Sequence, residues 1–206
     1  MCYSVEASKI SFFINIISTY ILYNYSKDPE YKIIAIFFGY VGIVQLYDWI
    51  LWENQENYIN TIVTFIEMIH INIEPLVLAY MIYKFKGSLS DNSYLIIKLY
   101  TIALIIFTIY IFDKIKYTEI KKINGNDRLI WSWNNDPTFI LYVIFTISYI
   151  ILGYENFDKP MNIIFVLLTI LSLSFGLYYR NENAGMFWCK IGSYIPLVFI
   201  PLQYII

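Results

Sequence analysis

Charged side chains make up only 15% of the 206 residues, against 59% from the hydrophobic set and a mean hydropathy of +0.57. A water-soluble domain of this size carries roughly 25% charged residues. The shortfall excludes most water-soluble enzyme classes and points to lipid as the main solvent. Histidine occurs once, at His70, so a multi-histidine metal site within one chain is excluded. The two cysteines, Cys2 and Cys189, allow one disulfide at most. No basic excess exists either: the net charge is -2 and the pI about 5.4, with Lys and Arg dispersed among acids, so nucleic acid is excluded as a partner. The stretch Met1 to Lys9 contains Glu6 and has no basic n-region with a small-residue cleavage site, so the first apolar segment is expected to be retained.

What the chain does have is long apolar runs. Those bounded by charge or turn residues lie at Ile10 to Tyr25, Lys32 to Trp52, Ile59 to Tyr83, Tyr94 to Phe112, Thr138 to Gly153, Met161 to Tyr179 and Met186 to Ile206. They predict an all-α integral membrane protein, a single domain over 1–206 built as a bundle of seven transmembrane helices. The run at 138–153 is, with the first, the shortest; without it six spans remain. Turn chemistry at Asp28-Pro29, Glu53 to Asn57, Gly87 to Asn92, Asp158 to Pro160 and Asn181 to Gly185 makes most connections short and successive helices antiparallel.

The longer connection, 114–136, places β-branched and aromatic flanks around Asn124-Gly125, which predicts an extramembrane β-hairpin between the fourth and fifth spans. Trp131 and Trp133 then share a face, either as anchors at the lipid headgroups or as a lid over a pocket. Basic residues divide five against six between the two membrane sides and do not orient the chain. Discounting the long hairpin, the N-terminus faces away from the cytoplasm and the C-terminus into it.

Ionisable groups inside a span are costly and call for a reason. Glu67, His70 and Glu74 follow i, i+3, i+7 spacing in the third run, predicting an acidic stripe around an imidazole. Pro75 removes the hydrogen bond to the Ile71 carbonyl, so a kink and a free acceptor are expected beside them. Gln45, Asp48 and Trp52 repeat that spacing in the second run, and Gln45 lies at about the depth of Glu67. Lys190, near the start of the last run, is either the counter-ion of Asp48 or a snorkelling surface lysine. Glu67-Met-Ile-His70 is half of a di-iron bundle signature whose second half is missing. No cofactor is implied. Ser4, Ser8, Ser11, Asn15 and Ser18 form a small polar seam that favours close packing of the first helix. An odd number of spans puts Cys2 and Cys189 at one membrane face, as a disulfide if that face is oxidising and as free thiols if it is cytosolic.

Three segments, Met1-Cys2-Tyr3-Ser4, Gln45-Leu-Tyr-Asp48-Trp49-Ile-Leu-Trp52 and Phe187-Trp188-Cys189, together resemble a family of uncharacterised polytopic membrane proteins. Members of that family begin Met-Cys-Phe-Ser, carry a Gln-x-x-Glu-x-x-x-Trp segment in helix two and end with a Trp-Cys helix. This chain has Tyr3 for Phe and Asp48 for Glu. The resemblance implies that Cys2, Gln45, Asp48, Trp52 and Cys189 belong to one shared site or brace; it supplies no reaction.

Three functional readings follow. In the first, Gln45, Asp48, Trp52, Glu67, His70 and Glu74 bind or conduct a proton, a cation or a small polar ligand. In the second, an intramembrane enzyme acts on a lipid or redox substrate, with His70 and a carboxylate as acid and base and a cysteine as nucleophile. In the third, a structural or assembly protein pairs its buried charges to specify packing. The partners common to all three are the lipid bilayer and, for the first, a small ligand or ion.

Overall fold

Helix starts along this chain are written in its capping residues. The Ser4 side chain accepts the Ala7 amide, Asp28 the Glu30 amide ahead of Pro29, Asn57 the Asn60 amide and Ser90 the Ser93 amide. A computed structural model describes residues 4–55, 57–123, 125–133, 138–178 and 184–204. It is mostly helical: α1 Val5–Tyr25, α2 Pro29–Gly42, α3 Val44–Glu53, α4 Tyr58–Asn72, α5 Glu74–Lys86, α6 Asp91–Ile111, a short 3-10 turn Phe112–Lys114, strands β1 Glu119–Ile123 and β2 Asn126–Ile130, then α7 Thr138–Asn156, α8 Met161–Tyr178 and α9 Ala184–Leu202.

Among the described residues three stretches are long and apolar enough to cross a membrane: α1, the nearly continuous α2–α3 over Pro29–Glu53, and Asp91–Lys114. The bent pair α4–α5 makes a fourth if it counts as one span. Burial runs inside out relative to a soluble protein. Ile102, Ile106 and Ile109 of α6 and Ile10, Phe13 and Ile17 of α1 are exposed, while Asn15, Asp48, Glu67 and Glu74 are buried. Apolar surface outside and hydrogen-bonding groups inside is compatible with an integral membrane protein.

The second run, expected as a continuous span, is interrupted, and the third bends beside Pro75, where a kink was expected. At Ile43 a single turn residue separates α2 from α3, its amide bonding the Tyr40 carbonyl at 3.0 Å. At Ile73 the chain bends by 48° between α4 and α5. The cause of the second break is Pro75, which has no amide hydrogen and disfavours helical geometry at Glu74, so the break falls just before both. The Ile73 amide bonds the Ile69 carbonyl at 3.0 Å and makes a secondary contact with the Ile71 carbonyl, the acceptor that Pro75 cannot serve. Neighbouring carbonyls are covered by tyrosines: Tyr40 donates to the His70 carbonyl at 3.1 Å and Tyr100 to the Asn72 carbonyl at 2.6 Å. Within hydrocarbon every released backbone group needs such a partner.

The polar seam of α1 faces inward as a packing surface. Asn15 donates to the Phe38 carbonyl at 2.9 Å and the Ser193 carbonyl at 3.1 Å, joining α1, α2 and α9. Gly42 makes this possible, since a Cβ there would lie 2.1 Å from the Asn15 side chain. Its remaining faces are exposed, and α2–α3 is the most enclosed of the span-length segments.

The predicted hairpin is present, antiparallel, with Lys121 opposite Arg128 and Ile120 opposite Leu129, turning through Gly125 at φ +81°. Asn124, the other expected turn residue, lies outside the described residues. A buried polar knot holds the hairpin to α4: the Thr118 amide donates to Asn60 Oδ1 at 2.7 Å, Asn60 Nδ2 donates to the Thr118 carbonyl at 2.9 Å, and the Thr64 and Thr118 hydroxyls lie 2.8 Å apart. Trp131 and Trp133 are 1% and 0% exposed and stacked at 4.9 Å, so they plug the protein interior and do not sit as headgroup anchors. At the opposite end, Lys86 bonds the Glu30 carboxylate and the Asn156 carbonyl, and the Asp158 amide donates to Glu30 at 2.7 Å.

Candidate functional site

The interior acids stand on broken helices. Asp48 is the fifth residue of α3, and Glu67 lies five residues before the end of α4; the loop between these helices turns one back on the other. Both side chains are buried, at 1% and 0% exposure, and their carboxyls face each other at hydrogen-bonding range. No nitrogen or hydroxyl of the described residues hydrogen-bonds to either Glu67 oxygen. A carboxylate has no hydrogen to donate, so two carboxyls in this arrangement are joined only while one of them holds a proton.

Glu74, fully buried at the start of α5, has a different surrounding. Its Oε2 accepts the Tyr149 hydroxyl and the Trp188 indole N–H, both at 2.9 Å, from α7 and α9. The Tyr149 ring packs against Phe145 at 4.7 Å, Trp188 at 5.2 Å and Phe37 at 5.6 Å, so the two donors are held in place by aromatic packing. The second oxygen, Oε1, has no hydrogen-bond partner among the described residues.

His70 does not sit within a carboxylate stripe. Its Nε2 faces the Tyr40 carbonyl at 2.9 Å and its Nδ1 the Tyr47 hydroxyl at 3.4 Å, with the Tyr40 ring stacked on it at 3.8 Å and 8°. Since a carbonyl only accepts, Nε2 carries the hydrogen and a neutral ring presents Nδ1 to Tyr47. The predicted stripe Glu67–His70–Glu74 fails at its last member because the break at Ile73 starts a new helix, and Glu74 follows the register of α5. Both ring nitrogens are committed to tyrosines, which removes the free nitrogen that a histidine base would use.

The other predicted residues are placed as follows. Gln45 is buried one turn before Asp48 on α3, and Trp52 is partly buried against the core near the end of that helix. Cys189 is a buried free thiol within electrostatic reach of Glu74, Asp48 and Glu67, while Cys2, its expected partner, lies outside the described residues. Lys190 is partly exposed on α9. The structure thus brings Asp48 to Glu67 and Cys189 to all three acids, and sets His70 apart as a brace. Among the described residues no group of three or more metal-ligating side chains forms.

Sequence reasoning missed Tyr40, Tyr47, Tyr149 and Trp188 as partners of these groups. A chain with 21 tyrosines offers no local cue for the few that turn inward. The Asn60–Thr64 knot had a signal, because Asn60, Thr64 and Glu67 continue one helical stripe at i, i+4, i+7. No family model, no curated protein and no solved structure matches the chain.

Proposed function

We propose that the chain is a multi-pass membrane protein of seven spans, with its N-terminus on the non-cytoplasmic side, and that its interior carboxyls bind and pass protons. The spans are α1, α2–α3, the bent α4–α5, α6, and the apolar helices α7, α8 and α9. The single observation carrying the functional part is the Asp48–Glu67 pair: two buried carboxyls in contact, an arrangement that holds together by a shared proton. An acid pair of this kind in a lipid-embedded bundle has a natural use in proton traffic. Glu74 offers a third carboxyl, with one oxygen that no described residue hydrogen-bonds, further along the same bent span.

The test is proton flux in liposomes containing the purified protein and an internal pH indicator, driven by an imposed potassium diffusion potential. Flux above that of empty vesicles, lost in Glu67→Gln and Asp48→Asn, is the expected result. Wild-type vesicles no leakier than empty ones would sink the reading. Variants that carry protons like the parent and differ only in unfolding midpoint would instead assign the buried acids to packing, the role that the hydrogen-bonding of His70 already illustrates.

A further inference from the structure

The turn that joins α5 to α6 closes one end of a cleft of about 530 Å³, whose walls come from both helices. At its outer end stand Gly87, Ser88 and the Asp91 carboxylate. Next come the rings of Tyr80, Tyr83 and Tyr94, and farthest from the turn lie Leu76 of α5 and Ile97 of α6. Polarity therefore falls with distance from the turn. A Cβ on Gly87 would meet no atom within 4 Å, so the outer end is open. All three tyrosines are more than half exposed, which leaves their ring faces to whatever fills the cleft.

The charges here are ordered as well. Asp91, Tyr94 and Lys98 share one stripe of α6 at i, i+3, i+7 spacing. Lys98 folds back so that its ammonium lies over the Tyr94 ring, 4.3 Å from the centroid, the direction in which helical side chains lean. The ammonium thus sits near the level of Tyr94, about 4.5 Å of helical rise inward from Asp91. Neither Asp91 nor Lys98 makes an ion pair among the described residues. Glu155 adds a second carboxylate beside Asp91, held by the Ser90 hydroxyl at 2.5 Å and the Asn92 amide at 2.7 Å. Of the other lysines at this end, Lys86 is held by Glu30, and Lys84 lies over the Phe85 ring at 6.0 Å, outside the lining.

Resting on the membrane-spanning part of the reading above and not on its proton traffic, we infer that this cleft binds one zwitterionic phospholipid. In such a lipid the phosphate lies next to the acyl chains, and the ammonium or choline lies further out across a short ethylene link. An outermost acid, a lysine about one turn deeper and an apolar floor repeat that order. The phosphate meets Lys98, the cationic end lies between Asp91 and the tyrosine faces, which attract cations, and the start of an acyl chain follows Leu76 and Ile97. Pockets of roughly 300–1,000 Å³ enclose a drug-sized ligand, so the cleft takes the headgroup and upper chain while the rest continues into the bilayer. An anionic phospholipid offers Lys98 the same phosphate but gives Asp91 no partner, and both acids repel it.

The experiment is native mass spectrometry of the detergent-purified protein with added phosphatidylcholine, phosphatidylethanolamine, phosphatidylglycerol or diacylglycerol, alongside thermal unfolding of each variant. Phosphatidylcholine or phosphatidylethanolamine should be retained about tenfold more tightly than phosphatidylglycerol, with diacylglycerol weaker still. Asp91→Asn should erase the preference over phosphatidylglycerol, and Lys98→Gln should weaken both phospholipids alike. Lys114→Gln, at the other end of α6, should bind like the parent. Phosphatidylglycerol bound as tightly as phosphatidylcholine, or a preference unchanged in Asp91→Asn at an unaltered unfolding midpoint, would overturn the inference. A dimer that added lipid does not dissociate and that Tyr83→Ala breaks would also overturn it, by giving the cleft to a second copy. A chain that stays in solution without detergent would remove the membrane reading and this inference together, whereas a detergent-requiring chain that retains none of the four lipids would sink the inference alone.

Discussion

Tyr40 and His70 hold one another by the backbone. The Tyr40 hydroxyl donates to the His70 carbonyl at 3.1 Å, His70 Nε2 donates to the Tyr40 carbonyl at 2.9 Å, and the rings stack at 3.8 Å. Each residue lies three positions before a helix break, at Ile43 and Ile73. The reciprocal pair therefore joins two interrupted spans where their own ladders are weakest, and turns the lone histidine into a structural clamp.

This clamp should be measurable as stability. His70→Ala removes the N–H donor and the stacked ring, and should lower unfolding free energy by about 2–4 kcal/mol. Tyr40→Phe, which keeps the ring, should cost about 1 kcal/mol. His70→Gln, able to place an amide donor on the Tyr40 carbonyl, should recover part of the loss. Denaturation followed by tryptophan fluorescence in detergent reads all three; a His70→Ala midpoint equal to the parent's would contradict the clamp.

Gly42 is the point of nearest approach between α1 and α2. A Cβ there would stand 2.1 Å from Asn15, whose amide bonds the Phe38 and Ser193 carbonyls. Gly42→Ala should push α1 outward and cost about 2–3 kcal/mol. The double variant Gly42→Ala with Asn15→Ala should be less destabilised than the sum of the two singles, because the clash vanishes with the side chain. Additive losses in a thermal-shift series would argue against the contact.

Asn60 tethers the hairpin. Its side chain bonds the Thr118 amide and carbonyl as well as the Asn54 carbonyl. Asn60→Ala would take the donor from the buried Thr118 carbonyl and leave the Thr118 amide only its longer, 3.2 Å bond to the Thr64 hydroxyl, and should cost about 2–4 kcal/mol. The distinctive sign is local: amides of β1 and β2 should exchange with deuterium faster than in the parent while those of α1 keep their protection. Uniform acceleration across the chain would mean that the knot is not a hairpin anchor.

Lys86 neutralises a buried acid at the opposite end. It bonds the Glu30 carboxylate, 6% exposed, and the Asn156 carbonyl. Lys86→Met should destabilise by about 3 kcal/mol through the uncompensated Glu30 charge, and Glu30→Gln added to it should restore much of that loss. Unfolding of the single and double variants at neutral pH decides it; a double variant no better than Lys86→Met would show that the lysine acts through Asn156 alone.

Composition and periodicity were enough to mark the chain as compatible with an integral membrane protein. Sparse charge, long apolar runs and an Asn-Gly turn between β-branched flanks are local properties, and among the described residues the structure shows span-length helices at the first, second and fourth of those runs, a bent pair at the third, and a hairpin where the turn was expected. The acids inside the spans were equally legible, because any Asp or Glu in hydrocarbon stands out against its neighbours. Their partners were not. Whether Glu74 meets His70 or Tyr149, 75 positions away, depends on the bend at Ile73, and that bend rotates one half of a span against the other in a way that helical spacing alone does not encode. Likewise Trp131 and Trp133 carry the same side chains at a headgroup or in a core; only the Asn60–Thr118 knot, which draws the hairpin down onto α4, put them inside. Residue type set which groups must be satisfied, and the packing of interrupted helices chose what satisfies them, since a break frees backbone carbonyls that the nearest inward-facing side chain then claims.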